Sequence, residues 1–451
     1  MRMHKDFRLF MVLILFAMIA ITGCSHKIAT PDDTKYIKDF HDKYCVQKSN
    51  ALKEGNLALY VDYSTCIALG QSSPFYQALV PSFVDATKSY YSIKGNQISK
   101  ENGDVYQLLK SVNEVNYADI KKALETMANG DSESVLITDG EYYDQTIAGG
   151  NVNNPYMTEA LKIWLKKGHD IYIFSEPYVE PNHGKQYNKK RFYLFFTDSR
   201  LQGNIYDRIC QTVPLDKFPQ VEIFHLSTDH PAIYGDSQHF DVNRNLLAKV
   251  EGYGSFEVQD WEIDWKSITS LIVNGVDEKT GEQLKNGGIV MGGIKVDRNS
   301  FGGFKIKNIE IRVFDINQEY AEYYFAKEGG TLNNIPDKIK LEEQPNFLII
   351  NSEEFKNHGN IEINFDKQMF NPTLLNGKPY NYFRIEIHVS EVENIFDRYS
   401  SMFEFDDISK NGAKNISVSE SVKQCLADKE IQDMMRDCSI YSVYVKSEMY
   451  K

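Results

Sequence analysis

The chain has 451 residues, of which 42% are apolar and 25% charged, with 50 basic against 63 acidic side chains and a formal net charge of −13. At roughly 150 residues per domain this length predicts two or three domains whose cores need no disulfide staples, which excludes a disulfide mini-protein and a wholly disordered chain. The acidic excess has the wrong sign for binding a polyanion, so nucleic acid is not expected as a partner.

At the N-terminus, Arg2, Lys5 and Arg8 precede an apolar run from Leu9 to Ile21. The run is shorter than the roughly 20 residues a membrane span needs and ends in small residues and a cysteine, the pattern of a removable export signal over residues 1–23. Its end, Ile21-Thr22-Gly23-Cys24, resembles the lipobox of bacterial lipoproteins. That resemblance implies lipidation at Cys24, which becomes the first residue after cleavage, and a chain anchored to a membrane of the cell envelope. Ser25 stands where an aspartate retains enterobacterial lipoproteins at the inner membrane, which favours the outer membrane. Loss of Arg2, Lys5, Arg8 and Asp6 leaves 47 basic and 62 acidic groups, a net of −15. Residues 24–50, polar at first and carrying Pro31, read as a tether.

Over residues 51–229 short apolar runs alternate with amphipathic stretches. The strand-like runs are Leu57–Val61, Ser134–Ile137, Ile171–Phe174 and Arg191–Phe196; the helix-like segments are Pro74–Tyr90, Val105–Val112, Tyr117–Met127, Tyr156–Lys167 and Gly203–Thr212. Continuous apolar strands between helices predict an α/β doubly wound domain with a parallel sheet covered on both faces. Gly168 stands where a helix C-cap is expected.

His230–Asn245 reads as a connector, and beyond it the texture changes. Over 246–400 the predicted strands are Gly254–Ile263, Ile268–Val273, Gly288–Val296, Phe304–Asp315, Phe347–Asn351, Asn360–Phe365 and Tyr380–Val389. Strict alternation in Ile306–Phe314 and Phe383–Val389 predicts antiparallel sheets with one wet face, stacked as a β-sandwich-like region of one or two modules. The tail, 401–451, reads as an amphipathic helix, Ser417–Met435, and a last strand, Ile440–Val445. Besides Cys24 there are five cysteines, an odd number whose spacing fits no zinc pattern. Cys425 and Cys438 are the local candidates for a disulfide in an oxidising compartment, and Cys66 and Cys210 read equally well as buried thiols.

Chemistry concentrates at two strand ends. Asp62-Tyr63-Ser64-Thr65-Cys66 follows the first strand, and Thr138-Asp139-Gly140 follows a later one. Carboxylates and hydroxyls at the C-terminal ends of parallel strands converge in the crevice where open α/β sheets bind ligands, and such oxygens suit a hard cation, Mg²⁺ or Mn²⁺. These residues resemble the von Willebrand factor A domain over about Asn56 to Val213. In that family Asp-x-Ser-x-Ser after the first strand, a threonine from a middle loop and an aspartate in a Thr-Asp-Gly-like turn form a metal-ion-dependent adhesion site. The resemblance implies metal ligation by Asp62, Ser64 and Asp139, with an acidic group of the partner completing the ion's shell. Cys66 replaces the second serine, a softer donor, and Val115-Asn116-Tyr117 replaces the loop threonine, with Asn116 as a substitute donor; Glu141 and Asp144 are nearby acids. Tyr142 and Tyr143 offer either an aromatic contact surface or rim packing.

The expected function is a lipid-anchored envelope protein of the binding or adhesion type, engaging a protein or glycan partner. Two other readings remain open: a metal-assisted hydrolase or phosphotransferase using Asp62 and Asp139, and a metal-free scaffold in an envelope assembly. A haloacid-dehalogenase-like enzyme would also place Asp62 after the first strand, but Ser64 occupies its second acid's place. No GxxxxGK[ST], HExxH or GxSxG occurs. The run His225–His230 (HLSTDH) reads as loop polarity, and Asp297-Arg298-Asn299 as a β-turn.

Overall fold

The computed structural model describes residues 36–44, 52–53, 55–112, 117–143, 153–199, 201–228, 240–242, 256–263, 266–274, 288–296, 303–329, 348–365, 380–409, 412–436 and 438–448. The export signal, Cys24, Ser25, Cys45, Asn116 and Asp144 lie outside the described residues, as do Asp229, His230 and Asp297–Asn299. Among the described residues no helix is long and apolar enough to cross a membrane.

The chain divides into two compact units. In the smaller, Met1–Val46 with Asp315–Glu342, the helix Ile37–Tyr44 pairs with the helix Asn317–Lys327. Phe40 is buried edge-on against Tyr320 and Tyr323, with ring centroids 5.7 and 5.6 Å away, and Lys327 reaches Asp39 at 3.2 Å. The stretch read as a tether over 24–50 therefore carries a helix, held by aromatic side chains that are far away in sequence.

The larger unit begins with a seven-stranded sheet built from β1 (Leu57–Asp62), β2 (Thr87–Lys94), β3 (Gln97–Glu101), β4 (Ser134–Thr138), β5 (Asp170–Asn182), β6 (Lys185–Thr197) and β7 (Glu222–Leu226), in the order β3-β2-β1-β4-β6-β5-β7. Alternate side chains of each strand enter two different cores. Tyr60, Leu136, Ile171 and Leu194 face the helices Lys121–Asn129 and Thr158–Lys166, while Leu59, Val61, Ile137 and Phe195 face Pro74–Leu79, Pro81–Val84 and Ile205–Thr212. The α/β class with both sheet faces covered is thus present.

The sheet is mixed rather than parallel. β2 and β4 run parallel to β1, but β4 pairs antiparallel with β6, β6 with β5, and β5 with β7. His183 and Gly184, both at positive φ, make the two-residue turn that folds β5 back on β6 over thirteen paired positions. Pro74–Tyr90 is likewise not one helix. Two short helices end at Val84, and β2 follows, turning through Gly95 into β3. The remaining helices lie close to their expected ranges, and Gly168 closes Thr158–Lys166 at φ 76°, as a left-handed C-cap requires.

The β region comprises β8 (Phe240–Val242), β9 (Phe256–Ile263), β10 (Lys266–Asn274), β11 (Gly288–Val296), β12 (Phe304–Asp315), β13 (Leu348–Ile350), β14 (Asn360–Phe365), β15 (Tyr380–Asn394), β16 (Phe405–Asp406), β17 (Lys414–Asn415) and β18 (Ser439–Glu448). These form a five-stranded sheet, β12-β15-β18-β10-β9, a four-stranded sheet, β13-β14-β11-β8, and the small pair β16-β17. Pairing is mainly antiparallel, but β18 lies between β15 and β10 and runs parallel to β10. The expected tail helix is two helices, Ser417–Ala427 and Lys429–Arg436. The first packs on Thr158–Lys166, where Ser421 Oγ accepts from the Met157 amide at 3.2 Å and the Ser421 carbonyl accepts from Thr158 Oγ1 at 3.1 Å. In this structure no disulfide joins Cys425 and Cys438, both of them buried, and Cys210, which also read as a buried thiol, is exposed.

Candidate functional site

Parallel pairing of β1 with β4 sets Val61 opposite Ile137, so both chains leave the sheet side by side. Asp62 and Thr138 are then level, and Thr138 Oγ1 donates to Asp62 Oδ2 at 2.8 Å. The same hydroxyl accepts from the Gly140 amide at 3.0 Å, and Asp139 Oδ1 accepts from the Glu141 amide at 2.9 Å. This tight turn needs Gly140 at φ 72°. A Cβ there would stand 2.8 Å from Phe192 and from Val418, so the turn sits against both β6 and the helix Ser417–Ala427.

One ligand atom each from Asp62, Cys66 and Asp139 falls within 4.8 Å of the others. Ser64 joins them. It is the N-cap of the helix Thr65–Gly70, yet its hydroxyl makes no capping bond; it donates instead to Cys66 Sγ at 3.1 Å and lies close to both carboxylates. The cluster is largely buried, with Asp62 1% and Cys66 0% exposed, and the little surface it presents belongs to Ser64 and Asp139, at 6% and 8%. Asp62 Oδ1 is buried and no hydrogen bond reaches it.

Burial, then the neighbouring Asp139 charge, pushes the Asp62 carboxyl well above the usual carboxylate range, against the pull of the Thr138 and Ser64 hydroxyls. Asp139 is raised by burial and drawn back chiefly by the Lys189 ammonium. The Cys66 thiol is pushed up by burial and by both carboxylates, so it faces the cluster as a neutral thiol. Two buried acids with few donors hold either a shared proton or a cation, because leaving both charged in so dry a place is costly.

Of the expected ligands, Asp62, Ser64, Cys66 and Asp139 converge. Glu141 does not join them: its carboxylate pairs with Lys189. Tyr142 is core, stacked at 4.6 Å on Tyr156, whose hydroxyl donates to the Gly140 carbonyl at 2.6 Å, while Tyr143 stacks at 4.2 Å on the exposed Tyr117. His225 belongs to β7 and is buried, bonded to Asp170 Oδ1 at 2.8 Å and stacked on Tyr172, so it is no loop residue.

Sequence reasoning missed two cations that β6 brings to this edge. Lys189 is one. The other is Arg191, fully buried, whose Nε donates to the Cys66 carbonyl at 2.7 Å and whose Nη1 donates to Glu176 Oε2 at 2.6 Å. Tyr193 and Ser73 hydroxyls donate to the same Glu176 carboxylate. The run Lys189-Lys190-Arg191 was the available signal, but only an antiparallel β6 turns it toward the acids. No family model, no curated protein and no solved structure matches the chain.

Proposed function

We propose that the protein is a lipid-anchored binding protein of the cell envelope, with the outer membrane the favoured location, and that its α/β domain is von Willebrand A-like. In this reading Asp62, Ser64 and Asp139 hold a divalent cation, Mg²⁺ or Mn²⁺, through oxygen donors. An acidic group of a protein or glycan partner would complete the ion's shell. The two later sheets form the β-sandwich-like body that carries the domain. The observation that carries the proposal is the buried Asp62 Oδ1, unbonded beside the atoms of Cys66 and Asp139. An unmet buried acceptor costs on the order of 1–3 kcal/mol, and a bound cation would remove that cost.

Calorimetric titration of the full chain with Mn²⁺ and Mg²⁺ tests it. Binding heat and thermal stabilisation are expected for the native chain, and both should vanish in Asp62→Asn and Asp139→Asn. A native chain that gives neither signal, before and after chelator treatment, sinks the cation reading and leaves the metal-free scaffold. The anchor has its own test. Radiolabelled fatty acid should enter the native chain in bacteria and not the Cys24→Ser variant, and equal labelling of the two would refute lipidation at that cysteine.

A further inference from the structure

β6 runs antiparallel to β4 with Phe192 opposite Thr138, so the residues before Phe192 continue alongside Asp139, Gly140 and Glu141. A parallel neighbour would instead have ended at this edge with its own C-terminus. The antiparallel strand thus brings a lysine in among the acids. The Lys189 side chain is only 1% exposed; its ammonium pairs with Glu141, donates to the Asp406 carbonyl at 3.3 Å and stands 4.7 Å over the Phe405 ring. Its charge draws down the carboxyls of Asp139, Glu141 and Glu180, each of which burial raises. A lysine is seldom so fully buried unless anions surround it, and here its charge acts on three carboxyls.

We propose that Lys189 determines what the crevice accepts: its ammonium, paired with Glu141 two residues beyond Asp139, opposes a divalent cation, which binds only by displacing it. The inference rests on the cation reading given above. An ammonium on Glu141 and a divalent ion on Asp139, in the same turn, repel each other strongly in a dry site, so one must leave. Space for the departing side chain adjoins it, a cavity of about 360 Å³ that Lys189 itself lines together with Tyr178, Asn188, Lys190, Glu404 and Lys414. Once swung into that cavity the ammonium would join Lys190 and Lys414. An acidic partner group would then meet more positive charge there when the cation is bound than when it is not.

The test combines Mn²⁺ titration of the full chain with acylation of Lys189 by an amine-reactive reagent, read by mass spectrometry. Lys189→Met and Lys189→Gln should bind Mn²⁺ at least tenfold more tightly than the native chain, and Lys189→Arg should not. Acylation of Lys189 in the native chain should rise severalfold at saturating Mn²⁺. Binding by the Met and Gln variants alone, with none in the native chain, supports complete occupancy by the ammonium. Native binding with unchanged acylation, or with equal or weaker affinity in folded Met and Gln variants, overturns this inference and leaves the cation reading standing. Absence of binding in every protein overturns both. If neither variant folds, the acylation result on the native chain decides.

Discussion

Thr138 Oγ1 bonds one oxygen of Asp62, across 76 positions of sequence, and no hydrogen bond reaches the other oxygen of the same carboxyl, which is buried. The bond fixes the carboxyl's orientation. Its free edge is consequently positioned rather than mobile, and the site's behaviour depends on what meets that edge.

The pH dependence of stability follows. Burial first, and Asp139 second, raise the Asp62 carboxyl in the folded chain. A carboxyl that holds its proton more tightly when folded adds stability below the ordinary aspartate range, and this is lost as pH rises toward the raised folded value. In chelator, Asp62→Asn should flatten the fall in stability from about pH 4 upward and raise stability at pH 7 by about 1–3 kcal/mol. Urea unfolding at several pH values measures it; an unchanged slope would mean that Asp62 is not protonated more readily in the fold.

Gly140→Ala should be costly. The positive φ adds about 1–2 kcal/mol for an L side chain, and the 2.8 Å approaches to Phe192 and Val418 force repacking worth about 1–3 kcal/mol. Because Val418 belongs to the helix Ser417–Ala427, limited proteolysis should cut near that helix sooner in the variant. A substitution that loses no stability would contradict the tight turn.

Arg191 and Glu176 form a buried pair whose single breakage leaves a charge uncompensated. Arg191→Met or Glu176→Gln should each cost about 3–5 kcal/mol, and the double variant less than the sum. A double-mutant cycle by denaturant unfolding reads the coupling. Strict additivity would show that the two groups act independently.

Cysteine reactivity separates a thiol from a disulfide at positions 425 and 438. Without reductant, denatured chain should take alkyl groups at both, whereas native chain should be labelled among the described cysteines only at Cys210. A mass deficit of two hydrogens across the pair in protein from an oxidising compartment would establish the bridge instead.

Much of the α/β framework was legible in the sequence because apolar runs such as Ser134–Ile137 are bounded by turn residues and too short for helices. Asp62, Ser64 and Asp139 were legible for the same reason, since each stands at a strand end or within two residues of one. The antiparallel β6 was not. Beyond the apolar Arg191–Phe196 the hairpin is polar, so hydrophobic pattern marks only its inner half, and its turn, His183-Gly184, is less distinctive than Asn-Gly. β2 was hidden by its amphipathic sequence, Thr87–Lys94, which follows two real helices without a break in polarity. Lys189 could not be placed at the acids until the direction of β6 was known. The disulfide expected between Cys425 and Cys438 rested on nearness in sequence, whereas one cysteine ends in a helix packed on the α/β domain and the other precedes β18.

β18 also bears on how the chain reaches its fold. Residues 439–448 lie between partners from 266–274 and 380–394, so the five-stranded sheet cannot close until the chain has been delivered through residue 448. Loop closures this long slow folding and leave strand edges bare in the interim. Until β18 arrives, the edges of β10 and β15 that it will cover stand open to pairing with other strands.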